Sequence, residues 1–182
     1  VALGQVRTSE ALKRAEGALI AAQALNDPLL LAEAHLAKGS AFYMLGNTNA
    51  SMAEMERSLK ISRDKGDVNL QVDALVILVY LHLGLGDLEK AYFQLDQAEQ
   101  LIPRGADLLR QASVADAAAE LANSLGDDAG ALERYRIAHD AYLKAENPLM
   151  ASDMGRAMAF KLRALKRFDE ALKVADETIV AA

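Results

Sequence analysis

Apolar residues along this chain recur at intervals of three and four, the spacing of one helix face, as in Leu75, Leu78, Val79, His82 and Leu85. Only three prolines interrupt the pattern. Above this short period lies a longer one. Leu45-Gly46-Asn47, Leu85-Gly86-Asp87 and Leu125-Gly126-Asp127 recur forty residues apart, and Leu165 continues the series with Lys166-Arg167 in place of the Gly-Asp pair. Ala11, Ser51, Ala91, Ala131 and Ala171 are all small at the same spacing. Leu12, Met52, Tyr92, Leu132 and Leu172 are all apolar, and Asp27, Asp67, Asp107 and Asn147 form a further register.

Each unit reads as two helices with two kinds of joint. The glycine after each register leucine can take the left-handed conformation that ends a helix, and the following Asn or Asp can accept the first free amides of the next. At the other joint, Asp27-Pro28 and Asn147-Pro148 place a cap before a proline at the first helical position. The pattern predicts about nine helices, beginning with a lone second helix over roughly 6–25. The units are roughly 1–27, 28–67, 68–107, 108–147 and 148–182, in a single all-α domain.

These units resemble tetratricopeptide repeats (TPR). The family's turn and second-helix pattern is matched by Gly86-Asp87, Ala91, Leu95 and Ala98, and again by Gly126-Asp127, Ala131, Tyr135 and Ala138. Gly39 and Phe42 stand at the family's first-helix Gly and Tyr. No Trp opens any unit, the third unit carries Ala115, Ala118, Ala119 and Ala122 at its first-helix signature positions, and the period is 40 rather than about 34. The resemblance implies a right-handed α-α superhelix, a solenoid. The 40-residue variety is similar to repeat arrays of bacterial regulators, including LuxR-type transcription factors, peptide-pheromone receptors and some cyclic-dinucleotide synthases. It implies a sensing or docking segment of a larger signalling chain.

Composition narrows the function. Hydrophobic residues make up 52% but aromatics only 5%, so the helices must pack closely through small side chains. A net charge of −6 without any Lys/Arg block argues against direct nucleic-acid binding. The absence of cysteine excludes disulfides, thiol catalysis and thiolate metal sites, and fits a cytoplasmic protein. The most apolar run, Ala74 to Leu85, is too short for a membrane span of about 20 residues. The chain begins Val1-Ala2-Leu3 and ends at Ile179-Val180-Ala181-Ala182 within a helical pattern, so it is expected to be a segment of something longer.

Chemistry is sparse. His82 is in register with Phe42, Ala122 and Leu162, His139 with Leu19, Leu59 and Ile179, and His35 with Leu75 and Ala115, all packing positions. The adjacent Asp127 and Asp128 sit at a turn and do not converge as an acid–base pair must. Gly84-Leu85-Gly86 follows a helix and is too short for a phosphate loop. Asn49-Ala50-Ser51 matches the glycosylation triplet by a pattern common by chance. Glu54, Glu56, Arg57, Lys60, Arg63, Asp64 and Lys65 read as a solvated helix face. Met44, Met52, Met55, Met150, Met154 and Met158 read as core filler for the most part. No enzyme activity, cofactor or metal is expected.

Binding is expected on the face lined by each unit's first helix. Aligned on the family, the inward positions are Glu33, Leu36, Ser40 and Tyr43; Asp73, Val76 and Tyr80; Ser113, Asp116, Glu120 and Asn123; and Asp153, Arg156, Phe160 and Arg163. The Lys and Asn clamp of the family's chaperone-docking members is absent from them. A protein or peptide ligand with apolar anchors and mixed charge would suit this groove. The helix over 70–85 is apolar on nearly every side through Val76, Ile77, Val79 and Tyr80. That predicts an external cover, whether a partner peptide, a neighbouring domain or a second copy in a homodimer. The alternative function is an oligomerising or spacing solenoid.

Overall fold

Short-range hydrogen bonds set the helix boundaries. The computed structural model describes the backbone of residues 2–181 and the side chains of residues 8–178. Among them, nine α-helices follow in order: α1 (Ala2–Leu25), α2 (Pro28–Met44), α3 (Thr48–Lys65), α4 (Val68–Gly84), α5 (Leu88–Leu101), α6 (Leu108–Ser124), α7 (Asp128–Lys144), α8 (Pro148–Ala164) and α9 (Phe168–Ala181). A 3₁₀ turn over Ile102–Arg104, which the pattern did not predict, follows α5, with Pro103 inside it. Asp27 accepts from the amides of Leu29 and Leu30, and Asp67, Asp107 and Asn147 accept from Leu70, Arg110 and Met150. At the other joints Asn47, Asp87 and Asp127 do the same for Ala50, Lys90 and Gly130. Each such cap contributes about 1 kcal/mol.

The glycine joints behave as expected: Gly46, Gly86 and Gly126 have φ of 72°, 72° and 77°. The last joint makes the same turn without glycine. Lys166 takes φ 60° there, where a side chain costs about 1–2 kcal/mol. Arg167, at the place of the capping Asp, instead pairs its guanidinium with Glu170 through two bonds of 2.6 Å.

The helices stack in sequence as an all-α solenoid, each second helix packing on its own first helix and on the next unit's. The core falls into two clusters. One centres on α4, with Val72, Leu75, Leu78 and Val79 meeting Met55, Leu95 and Val114. The other joins α6, α7 and α8 through Ala112, Leu132, Tyr135, Met154, Met158 and Leu162. Small residues let the axes approach. A Cβ on Gly39 would lie 3.3 Å from the Ser51 carbonyl and 2.5 Å from Met55 Cε, and the Ser51 hydroxyl donates to the Gly39 carbonyl at 2.8 Å.

Three expectations need correction. The apolar helix α4 requires no external cover: α2, α3, α5 and α6 all pack on it, and Val76 is 7% exposed. The ground for a partner or second copy on that helix is therefore gone. The charged run of α3 is not wholly solvated, because Glu54 is buried and accepts from His35 Nδ1 at 2.6 Å and Arg57 at 2.9 Å, with Lys38 at 3.4 Å. Those partners hold its carboxyl below the usual range against the burial that pushes it up. Met44 is 71% exposed rather than filler, while Met55, Met154 and Met158 are buried. The side chain of Ile179, and Val1 and Ala182 altogether, lie outside the described residues. No helix among those described is long and apolar enough to cross a membrane.

Candidate functional site

The first helices α2, α4, α6 and α8 stand in equivalent places, so the expected groove positions can be followed from unit to unit. In α2, Leu36 is half-buried, Ser40 Oγ donates to the Leu36 carbonyl at 2.8 Å, and Glu33 and Tyr43 are exposed. In α4, Asp73 takes a two-pronged contact from Arg110 of α6, at 2.9 and 2.6 Å, and Arg110 also reaches Asp107 at 3.1 Å. Burial pushes the Asp73 carboxyl up, with Arg110 opposing.

The α6 positions are locked as well. Tyr80 faces Asp116, which is 8% exposed. Burial raises the Asp116 carboxyl to about 6; Glu120 adds to the rise and the neighbouring Tyr80 hydroxyl opposes it. The Tyr80 and Tyr135 phenols are pushed up mainly by burial. Glu120 accepts from Tyr135 at 2.5 Å and from Asn123 at 3.4 Å. Asn123 in turn accepts from Lys161 of α8, whose ammonium also meets Asp128 at 2.8 Å. Ser113 donates to the Leu109 carbonyl at 2.9 Å.

The middle of the expected groove is thus a row of polar clasps between neighbouring helices. Val76 and Asp116 do not line an open surface, since burial between helices removes them from it. Asp73, Tyr80, Glu120 and Asn123 remain half-exposed but already engaged.

The α8 end is different. Asp153 pairs with Arg156 three residues on, Arg156 and Arg163 are exposed, and Phe160 is 64% exposed. These residues border a groove of about 670 Å³ between α8 and α9, completed by Phe168, Leu172 and Ala175. Sequence reasoning missed those three because it counted first helices only. The signal was in the register: Phe168 and Leu172 stand where Asp128 and Leu132 stand one unit earlier. Nothing among the described residues packs over this face, whereas one unit earlier α8 packs on α7 and its Lys161 reaches Asn123 of α6.

The histidines occupy separate places. His35 binds Glu54, His139 lies 3.1 Å from Asp140, and His82 is buried with its pKa lowered by that burial. No group of three or more His, Asp or Glu side chains among the described residues could hold a metal ion.

Solved structures share this architecture. A Rap protein complexed with competence and sporulation factor matches 98% of this chain at a TM-score of 0.87 and 18% identity. BtubC (BKLC) from P. vanneervenii matches 96% at 0.75 and 20%, over 73% of its own length. A MamA mutant matches 99% at 0.54 and 19%, over 94% of its own length. The chain has a tetratricopeptide-like helical-repeat fold. It spans half the length of the Rap chain. No protein-family model and no curated protein sequence matches it.

Proposed function

We propose that this chain is a non-catalytic protein- or peptide-binding scaffold that binds along the first-helix face of the solenoid, with the exposed Arg156, Phe160 and Arg163 of α8 among its anchors. One observation carries this reading. Arg156, Phe160 and Arg163 are exposed on the binding side of the solenoid, beside an apolar groove, while equivalent residues of α4 and α6 are closed by neighbouring helices. Aromatic and Arg side chains beside a concave apolar surface are favoured anchors for a polypeptide. Tyr43 offers a smaller exposed anchor at the α2 end.

The similarity to a Rap protein bound to competence and sporulation factor supports a peptide or protein ligand. It also supports placing the segment within a bacterial signalling or transcription-regulatory protein of the cytoplasm, in keeping with the 40-residue repeat. The net charge of −6 argues against nucleic acid as the direct partner. The alternative is an oligomerising or spacing solenoid, which self-association without affinity for short peptides would favour.

The test is affinity selection of a displayed random-peptide library on the immobilised chain, repeated with Phe160→Asp. Enriched peptides that lose binding to Phe160→Asp support the reading. No enrichment sinks it. Binders that tolerate Phe160→Asp but fail on Tyr43→Ala would move the site to α2 and away from α8.

A further inference from the structure

One joint in the middle of the solenoid departs from the repeat, and a charged pocket lies beside it. Helix α5 has 14 residues where its counterparts α3 and α7 have 18 and 17, because Pro103 has no amide with which to continue it. The 3₁₀ turn over Ile102–Arg104 follows, and Gly105 closes it at φ 115°. Arg104 thereby leaves the helical path that Asp64 and Lys144 keep at the same register in α3 and α7.

Arg104 borders a pocket of about 190 Å³ enclosed by α3, α4 and α5. Leu75 and Leu101, both buried, give it an apolar floor, and Gln71, Gln97 and Gln100 give it polar walls. Arg63 is the second guanidinium at its edge, and both arginines are exposed. Neither forms an ion pair among the described residues, whereas Arg57, Arg110, Arg136, Arg156 and Arg167 each have one. Arg63 donates to Gln97 Oε1 at 2.5 Å, which holds it against the pocket. The Gln71 amide donates to the Ser62 and Asp67 carbonyls at 3.2 and 3.1 Å, so the carbonyl end of α3 is already occupied. Asp96 accepts from Gln100 at 2.8 Å and does not line the pocket. Forty residues on, the same register reads Pro103 for Arg63, Ile137 for Gln97 and Asp140 for Gln100. The stacking of units therefore does not require this arrangement.

We infer that this pocket binds the phosphate of a phosphorylated side chain carried by a partner polypeptide. Two guanidinium groups without an internal counter-charge suit a dianion, and their planar N–H pairs match phosphoryl oxygens. A single carboxylate leaves one of the two unanswered. Size sets the source of the phosphate. Sites that enclose a free small molecule run to about 300–1,000 Å³. The 190 Å³ here holds a phosphoryl group and a short stem, with the stem lying on Leu75 and Leu101. The site is separate from the first-helix face argued above, because α3 and α5 are second helices.

The experiment titrates the whole isotope-labelled chain, followed by nuclear magnetic resonance, with a blocked heptapeptide of Ala and Leu around a central phosphoserine. The same peptide with Ser or Glu at the centre, inorganic phosphate and glycerol phosphate are the comparisons. The side-chain signals of Arg63, Arg104, Gln97 and Gln100 are expected to shift with the phosphopeptide. Its Kd is expected to lie about tenfold or more below that of every comparison, and to rise with salt. Arg63→Ala/Arg104→Ala, checked by its melting curve, is expected to weaken phosphopeptide binding about tenfold or more. Arg134→Ala/Arg136→Ala removes the same charge from α7 and is expected to leave the Kd within about twofold.

No response, equal affinity for the Glu peptide, or a Kd unmoved by Arg63→Ala/Arg104→Ala overturns the inference. Glycerol phosphate binding as tightly as the phosphopeptide also overturns it, because the pocket then takes a small phosphorylated molecule. The random-peptide library of the scaffold test carries no phosphate. Failure here therefore leaves the first-helix face standing, and failure there leaves this pocket standing.

Discussion

Helices α4 and α8 occupy the same place in successive units and meet opposite fates. Asp73, Val76, Tyr80 and Leu83 of α4 correspond to Asp153, Arg156, Phe160 and Arg163 of α8. In α4, Asp73 is clasped by Arg110, Val76 is buried, and Tyr80 is half-buried facing Asp116. In α8, Asp153 and Arg156 pair on the surface and Phe160 stands exposed. Position within the repeat therefore does not decide whether a residue is exposed in this structure. The helices packed against it decide it: α2, α3, α5 and α6 all lie against α4, and among the described residues no helix stands on α8 as α6 stands on α4.

The largest test of that contrast is charge at equivalent positions. Val76→Asp places an unpaired carboxylate among α2, α4 and α6 and is expected to cost about 4 kcal/mol, enough to unfold a marginal domain. Arg156→Ala, its counterpart in α8, is expected to change stability by no more than about 0.5 kcal/mol. Urea denaturation midpoints measure both. A well-folded Val76→Asp protein would show that α4 is far less enclosed than its burial indicates.

Asp116 sharpens the comparison through pH. Its folded carboxyl titrates at about 6, above the ordinary 3.8, so the folded state holds its proton more tightly than the unfolded chain. Any stabilisation from that proton is present at acid pH and is lost as pH rises from about 4 through 6. Asp116→Asn keeps an acceptor for Tyr80 without a buried charge. The variant is expected to exceed the parent by about 2 kcal/mol at pH 8, with the gap closing toward pH 4. A less stable variant at pH 8 would mean that Tyr80 and its surroundings favour the ionised form after all.

The smallest effect concerns the turns. Lys166→Gly relieves a side chain at φ 60° and is expected to add about 1 kcal/mol, whereas Gly126→Ala, at φ 77°, is expected to remove about as much. Thermal melts of the two variants give the signs directly. Identical responses at the two joints would mean that the last turn relaxes without its left-handed residue.

The joints were the most legible part of the molecule. Asp27, Asp67, Asp107 and Asn147 cap helices three residues ahead, and Gly46, Gly86 and Gly126 turn within a few residues of the helices they end. Such interactions close inside a short window, so residue type and spacing are enough to read them. The binding face was legible only as a set of positions. Register named Tyr80, Glu120 and Phe160 alike, without distinguishing which were already engaged.

What the sequence alone determined, then, is the helical period, the caps, the turns and the stacking of like units. Only the tertiary structure decided that Glu54 is buried among cations, that Asp73 and Asp116 are clasped across units, and that Phe168 and Leu172 join Phe160 around an open groove. The reason is range. A cap depends on its own turn of helix, whereas exposure depends on which side chains arrive from a neighbouring helix pair, and the local pattern of hydrophobic and polar residues carries no record of that arrival.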